Sequence, residues 1–319
     1  MVVVTGANGF IGRAVCAHLR SIGAKVRGLV RTLDASTAAR AEFMPVGDLT
    51  ALADHALRNA LRGATAVVHL AAHVHQPAHA NDVAPMRRIN VEVTERIARA
   101  AAAAGATHCV FASSVKVNGE VTLPGRPFRE SDPPDPHDDY AATKWEAEQA
   151  LAAVAAETGM RVTALRLPLT YGPGAKGNFA VLARAIRAGA PLPLAGIRNR
   201  RSLLGVGNCG AAIEALLASE DPSGCGWMTP YLIADAEPVS TPDLVRAMAA
   251  ALGVNARLFA VSPGLLRLGG ACIAQAPAVE RLVGSLEVDA AAFRTRFGWT
   301  PPIPFADGIN HALRGAPPL

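Results

Sequence analysis

Aromatic residues and lysines are scarce in this chain. Aromatics make up 5% of the 319 residues, with only three tyrosines and four lysines. The five cysteines (Cys16, Cys109, Cys209, Cys225 and Cys272) are odd in number and form no CxxC pair. That spacing excludes a zinc ribbon, argues against a disulfide framework, and makes a reducing cytoplasm the expected setting. No stretch of about 18 apolar residues lacks charges and breakers. The nearest approach, Leu258–Ala276, is interrupted by Pro263, Gly264, Arg267, Gly269 and Gly270. The opening Met1-Val-Val-Val carries no basic n-region or cleavage site, so a cytoplasmic protein without membrane insertion is expected. Long runs of one charge are also missing. The excess of +5, with a pI near 9.2, comes from basic residues standing singly, without an aromatic-rich basic stripe. Nucleic acid is therefore not an expected partner, and an anionic small molecule is.

What is abundant is apolar material, at 50% of residues against 18% charged, which excludes a disordered chain. The length is about twice that of a usual single domain, so two lobes or one large α/β unit is expected. The first half alternates short β-branched runs with helical stretches. Strands are predicted at Val2–Val4, Lys25–Val30, Val67–Leu70, Val110–Ala112 and Arg161–Leu167. Helices are predicted at Ile11–Ile22, Ile89–Ala104 and Tyr140–Glu157. Such alternation specifies a parallel sheet covered on both faces. Beyond Leu167, proline and glycine crowd 168–177 and 189–196. A helix is then predicted at Asn208–Ala218 and a strand at Tyr231–Ala234. A further helix, Leu244–Leu252, is predicted to start from the Ser240-Thr-Pro-Asp243 cap. The expected organisation is a first unit over 1–167, completed by parts of about 201–235, and a smaller substrate lobe made mainly of 168–319.

Two local patterns carry chemistry. Thr5-Gly-Ala-Asn-Gly-Phe-Ile-Gly12 lies between the first strand and the first helix. Its glycines at 6, 9 and 12 allow a tight turn, close backbone approach to a pyrophosphate, and a helix N-terminus that faces the phosphates. The second strand ends at Arg31, where NAD-binding chains of this type place a carboxylate; a guanidinium there suits a 2′-phosphate, so NADP is favoured over NAD. Asp48, after a further strand, is a candidate for the adenine amino group. The second pattern is Tyr140-Ala-Ala-Thr-Lys144, whose ends share one helix face. With so few tyrosines and lysines, chance supplies a YxxxK roughly 0.04 times in this length. The Lys144 ammonium is expected to lower the Tyr140 phenol pKa, making it an acid–base group. A hydroxyl at Ser113–Ser114, ending a strand, would share the proton.

Taken in order, Thr5–Gly12, Leu70-Ala-Ala72, Ser113–Ser114, Tyr140–Lys144 and Leu165–Gly174 resemble the extended short-chain dehydrogenase/reductases. The chain looks most like the NAD-dependent epimerase/dehydratase group acting on nucleotide sugars. Leu286-Glu-Val-Asp289 and Phe297-Gly-Trp-Thr-Pro-Pro302 are similar to that group's C-terminal motifs. The resemblance implies a Rossmann-type doubly wound parallel sheet with a smaller C-terminal α/β lobe, and a Ser114–Tyr140–Lys144 triad. It implies cofactor contacts at Gly6, Gly9, Phe10, Ile11, Gly12, Arg31, Asp48, Leu49, Leu70, Ala71, Ala72, Asn90, Tyr140, Lys144 and Leu167. On the substrate side it implies Ser114, Lys116, Lys176, Asn178 and Arg201, the last three suited to a diphosphate.

Departures narrow the assignment. The group's 4,6-dehydratases carry an Asp-Glu pair where Val115 and Lys116 stand here, which disfavours dehydration. Asn118 replaces the tyrosine that UDP-galactose epimerases place before the glycine of this turn. The expected reaction is NAD(P)-dependent oxidoreduction at C4 of a UDP-linked hexose. Arg31 and Val115–Gly119 favour a UDP-4-keto-sugar reductase over a UDP-sugar 4-epimerase interconverting UDP-Glc/Gal or UDP-GlcNAc/GalNAc. A reductase of alcohols or ketones lacking a nucleotide, and a non-enzymatic NAD(P)-binding redox sensor docking a partner, are remoter readings. A homodimer is compatible with the pattern. His69, His73, His75 and His79 lack a ligand set for a metal, and none is expected. Val261–Ala276 is expected to pack as a helix of the C-terminal lobe.

Overall fold

Strands buried on both faces are mostly apolar, and the first-half runs follow that pattern, with polar exceptions such as Thr163 and Arg166. In a computed structural model, which describes residues 1–34, 40, 42–74, 82–219, 226–272 and 276–314, they form one parallel sheet. Its strands are β1 (Val2–Thr5), β2 (Val26–Val30), β3 (Phe43–Pro45), β4 (Ala66–His69), β5 (His108–Ser114), β6 (Arg161–Leu167) and, from the second half, β9 (Met228–Leu232). The order is β3-β2-β1-β4-β5-β6-β9. The chain leaves β1 toward β2 on one side and later returns to β4 on the other, so the order reverses between β1 and β4. Ligands of open α/β sheets bind at that crevice, outside the carboxyl ends of the strands. The register sets Thr5 beside His69, and Ser114 beside Leu167, along this edge.

Alternate residues of each strand enter two separate cores. Val3, Leu29, Val67 and Cys109 pack against α2 (Asp54–Leu61), α4 (Val93–Ala103) and α5 (Asp139–Thr158). Their neighbours Val4, Val30, Val68 and Val110 pack against α1 (Phe10–Ser21) and α7 (Val206–Ala218). The predicted helix over Ile89–Ala104 is interrupted. A short α3 (Ala84–Arg87) runs into a π turn at Arg88–Glu92 before α4 begins. Asn90 sits in that turn, fully buried.

The crowded segment after β6 forms a second, two-stranded parallel sheet from β7 (Leu169–Tyr171) and β8 (Leu203–Gly205). Of the region expected to complete the main sheet, β9 does so and β8 does not. A third core joins β7 to α6 (Gly177–Arg187), α8 (Thr241–Leu252), α10 (Ala276–Val283) and α12 (Phe305–Arg314). Ser240 caps α8, accepting from the Asp243 N–H at 3.2 Å. Asp235 ties these pieces together, accepting from Tyr171 Oη at 2.7 Å and Asn208 Nδ2 at 2.7 Å. The aromatic C-terminal motif packs beside the main sheet, where Phe293 on α11 (Ala291–Phe297) meets Trp299 and Tyr231. On α9 (Pro263–Cys272), Leu266 joins the third core while Leu265 and Leu268 stay exposed, so the helix expected to pack does so on one face only. Among the described residues no helix is long and apolar enough to cross a membrane.

Candidate active site

The glycine loop is built on backbone contacts that a side chain would break. Gly6 has φ +63°, and a Cβ there would stand 2.8 Å from the Ala71 backbone nitrogen. A Cβ on Gly12 would lie 2.1 Å from the Gly6 carbonyl oxygen. The loop therefore folds tightly against Leu70-Ala-Ala72 and leaves a cradle open at the start of α1, which fits a dinucleotide pyrophosphate. Thr5 fastens the two segments: its hydroxyl accepts from the Leu70 and Ala71 N–H groups at 3.2 and 3.3 Å. Its own proton goes to His69 Nδ1 at 2.6 Å, so the His69 Nε2–H donates to Thr94 Oγ1 at 2.9 Å. Complete burial pushes His69 down to about 3, which keeps the ring neutral and this tautomer in place.

Several expected cofactor contacts take other roles. Both donors of the Asn90 amide are used internally, to the His73 carbonyl and to Thr143 Oγ1, each at 3.0 Å. Its oxygen accepts from the His73 N–H at 2.8 Å. Asn90 thus clamps the segment after β4 to α5. Ile11 and Leu49 are partly buried, packing against the two sheet cores. Arg31 is exposed at the end of β2, but not alone. Thr50 donates its N–H to the nearby Asp48 carboxylate at 2.9 Å, which holds the Asp48 pKa below its ordinary value, and the charges of Arg31 and Arg88 add to the effect.

Tyr140, Ser114 and Leu167 meet in a cleft of about 610 Å³. Phe10 from the glycine loop, Lys176, Asn178, Arg201 and Arg281 also line it. Ser114 faces the cleft and accepts from the Lys116 N–H at 3.2 Å. Ser113 points the other way, donating to Glu148. Glu148 is fully buried and paired with Arg166 at 2.7 Å, and Arg166 reaches Asn118 Oδ1 at 3.1 Å. That division makes Ser114 the hydroxyl available to the cleft, while Asn118, bonded to Arg166 and the Arg129 carbonyl, lies behind it.

Lys144 is buried beneath Tyr140, donating to the Ala112 carbonyl at 2.8 Å with its ammonium 4.5 Å from the Phe111 ring centre. Desolvation pushes it down to about 7, with Glu148 opposing the shift. Tyr140 itself moves the opposite way from the expectation. Burial, then the Asp138 carboxylate, raise its phenol pKa; the Lys144 ammonium lies 5.7 Å from the ring centre. Lys116 also faces the cleft, bridging Glu120 and Asp138. Desolvation opposes its charge, but these two carboxylates outweigh it and raise its pKa.

Lys176, Asn178 and Arg201 line this same cleft, at the start of α6 and beside β8. Arg201 donates to the Gly284 carbonyl at 2.8 Å; burial and the neighbouring Arg281 depress its pKa. Arg200 turns outward to Glu287. Arg281, Glu120 and Asp138 were missed. Asp138 was readable as a cap, accepting from the Ala141 N–H at 2.7 Å just before an alanine-rich helix, whereas Arg281 stands alone on α10 with no local pattern. His75 and His79 lie outside the described residues, and among those described no three His, Cys, Asp or Glu side chains cluster as a metal site.

Comparison with known proteins matches this arrangement. A UDP-glucose 4-epimerase of Vibrio cholerae is 34% identical over 98% of this chain and 94% of its own length. The solved complex of MoeE5 with UDP-glucose and NAD is 26% identical, covers 98% of this chain and 97% of that one, and superposes with a TM-score of 0.76. The NAD complex of a Thermus thermophilus UDP-glucose 4-epimerase, at 23% identity over 99% of both chains, shares the fold with a TM-score of 0.75. The model of the NAD dependent epimerase/dehydratase family matches residues 2–226, and the chain belongs to that family.

Proposed function

We propose that this enzyme is an NAD-dependent 4-epimerase of a UDP-linked hexose. The end-to-end match to a UDP-glucose 4-epimerase carries the reading, and it reverses the preference for a ketoreductase. That preference leaned on Arg31 as a 2′-phosphate ligand. With the Asp48 carboxylate beside it, the end of β2 is no bare cation site, and NAD is the better-supported cofactor. Gly6, Gly9, Gly12 and Phe10, with Leu70, Ala71, Ala72 and Leu167, would hold NAD; once bound, NAD supplies the acceptor and donor of hydride for C4. Lys176, Asn178 and Arg201 would grip the diphosphate, so that residues 168–319 hold the nucleotide sugar and 1–167, with β9, hold the cofactor.

In this reading Tyr140 takes the C4 hydroxyl proton and later returns one, and Ser114 hydrogen-bonds the same oxygen. Lys144 holds Tyr140 from below, and its ammonium favours the phenolate once the cleft fills. A soluble cytoplasmic dimer fits this role. The deciding experiment is to purify the protein without added cofactor and release whatever it holds. Tightly held, stoichiometric NAD with interconversion of UDP-glucose and UDP-galactose, or of their N-acetylamino forms, supports the epimerase. An empty site with NADPH oxidation that depends on a UDP-4-keto sugar overturns it. Tyr140→Phe should cut kcat by about 10²–10⁴ while NAD still binds; retention of more than a few per cent of activity would refute the role of Tyr140.

A further inference from the structure

We propose that Lys116, Glu120 and Asp138 make the cleft selective for a neutral hexose and against a hexuronic acid, an inference that rests on the nucleotide-sugar reading above. All three line the cleft. Two of them are fixed beside the elements that carry the reacting hydroxyls. The Lys116 N–H donates to Ser114 Oγ at 3.2 Å, and Asp138 caps the catalytic helix two residues before Tyr140. The trio therefore stands where the sugar must lie for its C4 to reach Ser114 and Tyr140.

One ammonium serves two carboxylates in this trio: Lys116 Nζ donates to Glu120 Oε1 at 2.7 Å and also to Asp138 Oδ2. The sugar end thus carries one unbalanced negative charge. Asp138 cannot turn away, because its other oxygen accepts from the Ala141 N–H at 2.7 Å. The other charged residues lining the cleft have the reverse balance, Lys176, Arg201 and Arg281 against Glu280, which is itself engaged by Arg267 at 2.8 Å. A UDP-hexose matches this polarity, diphosphate at the cationic end and hydroxyls at the anionic end, where they can donate to the carboxylates. A C6 carboxylate has no proton to donate. It either faces two like charges or takes Lys116 from them, leaving Glu120 or Asp138 unpaired, and both outcomes are unfavourable in a partly desolvated cleft.

The test measures kcat/KM for 4-epimerisation of UDP-glucose and of UDP-glucuronic acid by the full chain with NAD, and reads their ratio. The wild type should favour UDP-glucose by about tenfold or more. Glu120→Gln removes the unbalanced charge and should lower the ratio by about tenfold. Lys116→Met doubles that charge and should raise the ratio. Added salt should shrink the preference. Turnover of the two sugars at equal rates, or a ratio that moves the same way in both variants, overturns this inference alone. Failure to turn over any UDP-sugar overturns the epimerase reading and this inference with it.

Discussion

Replacing Lys144 by methionine should stabilise the cofactor-free protein while abolishing its activity. The side chains are similar in volume, so the exchange mainly removes a buried charge. Lys144 falls from its ordinary 10.5 to about 7 on folding, which at about 1.36 kcal/mol per pH unit is a burden of about 5 kcal/mol at neutral pH. The variant leaves the Ala112 carbonyl without its 2.8 Å donor, a loss of about 1–3 kcal/mol. The net gain is about 2–4 kcal/mol. For a chain this long, with an unfolding entropy of about 2.1 cal/mol/K per residue, that raises Tm by about 3–6 °C. The pH dependence gives the sharper signature. Between pH 7 and 10.5 the unfolded chain still binds the proton that native Lys144 has lost, so wild-type stability rises with pH through this window. The advantage of the variant should be full at pH 7 and below, and gone by about pH 10. Calorimetry of both proteins at pH 6, 7, 8.5 and 10 tests this. A variant that melts below wild type at pH 7, or a difference that does not change with pH, refutes the placement of Lys144 in a desolvated site.

Other expectations follow from single contacts. Arg166→Met strands the fully buried Glu148 and should cost about 3–5 kcal/mol in urea unfolding; adding Glu148→Gln should recover part of that loss, and a near-neutral single variant would show the pair to be idle. Ser114→Ala should lower kcat by about 10²-fold with little change in Tm, whereas Ser113→Ala, losing the contact to Glu148, should lower Tm and spare kcat; the reverse pattern would exchange their roles. Gly12→Ala places a Cβ 2.1 Å from the Gly6 carbonyl oxygen, so the turn must open. NAD titration should then show binding weakened by about 100-fold or more, and unchanged affinity would exclude this loop as the cradle.

The parts of this molecule legible in its sequence are those whose causes are local. A parallel strand covered on both faces is mostly apolar, so Val2–Val4 and, despite Thr163 and Arg166, Arg161–Leu167 were legible. The glycine loop is a backbone requirement met within eight residues, and Tyr140 and Lys144 share one helix face by spacing alone. The π turn at Arg88–Glu92 was not legible, since apolar periodicity continues across it while the peptide bonds shift one residue. Nor were β7 and β8, three residues each, whose pairing joins segments 34 positions apart among prolines and glycines. The error over Tyr140 has a similar origin. A helix face places Lys144 near the phenol, but only the folded packing shows that burial and the Asp138 carboxylate set the phenol pKa.

The choice between epimerase and ketoreductase was the least legible for a chemical reason. Both reactions move a proton at one oxygen, so Ser114, Tyr140 and Lys144 are common to the two. They differ in whether the cofactor stays through a catalytic cycle, and residence depends on many weak contacts along the loop rather than on one residue. Arg31 looked decisive while it was read alone. Beside it lies Asp48, brought from 17 positions away by the pairing of β2 with β3 and the Gly47 N–H bond to the Arg31 carbonyl. A cation near a carboxylate presents no clear demand for a 2′-phosphate, and that neighbour removes one of the two local arguments for the reductase, leaving only the Val115–Gly119 turn.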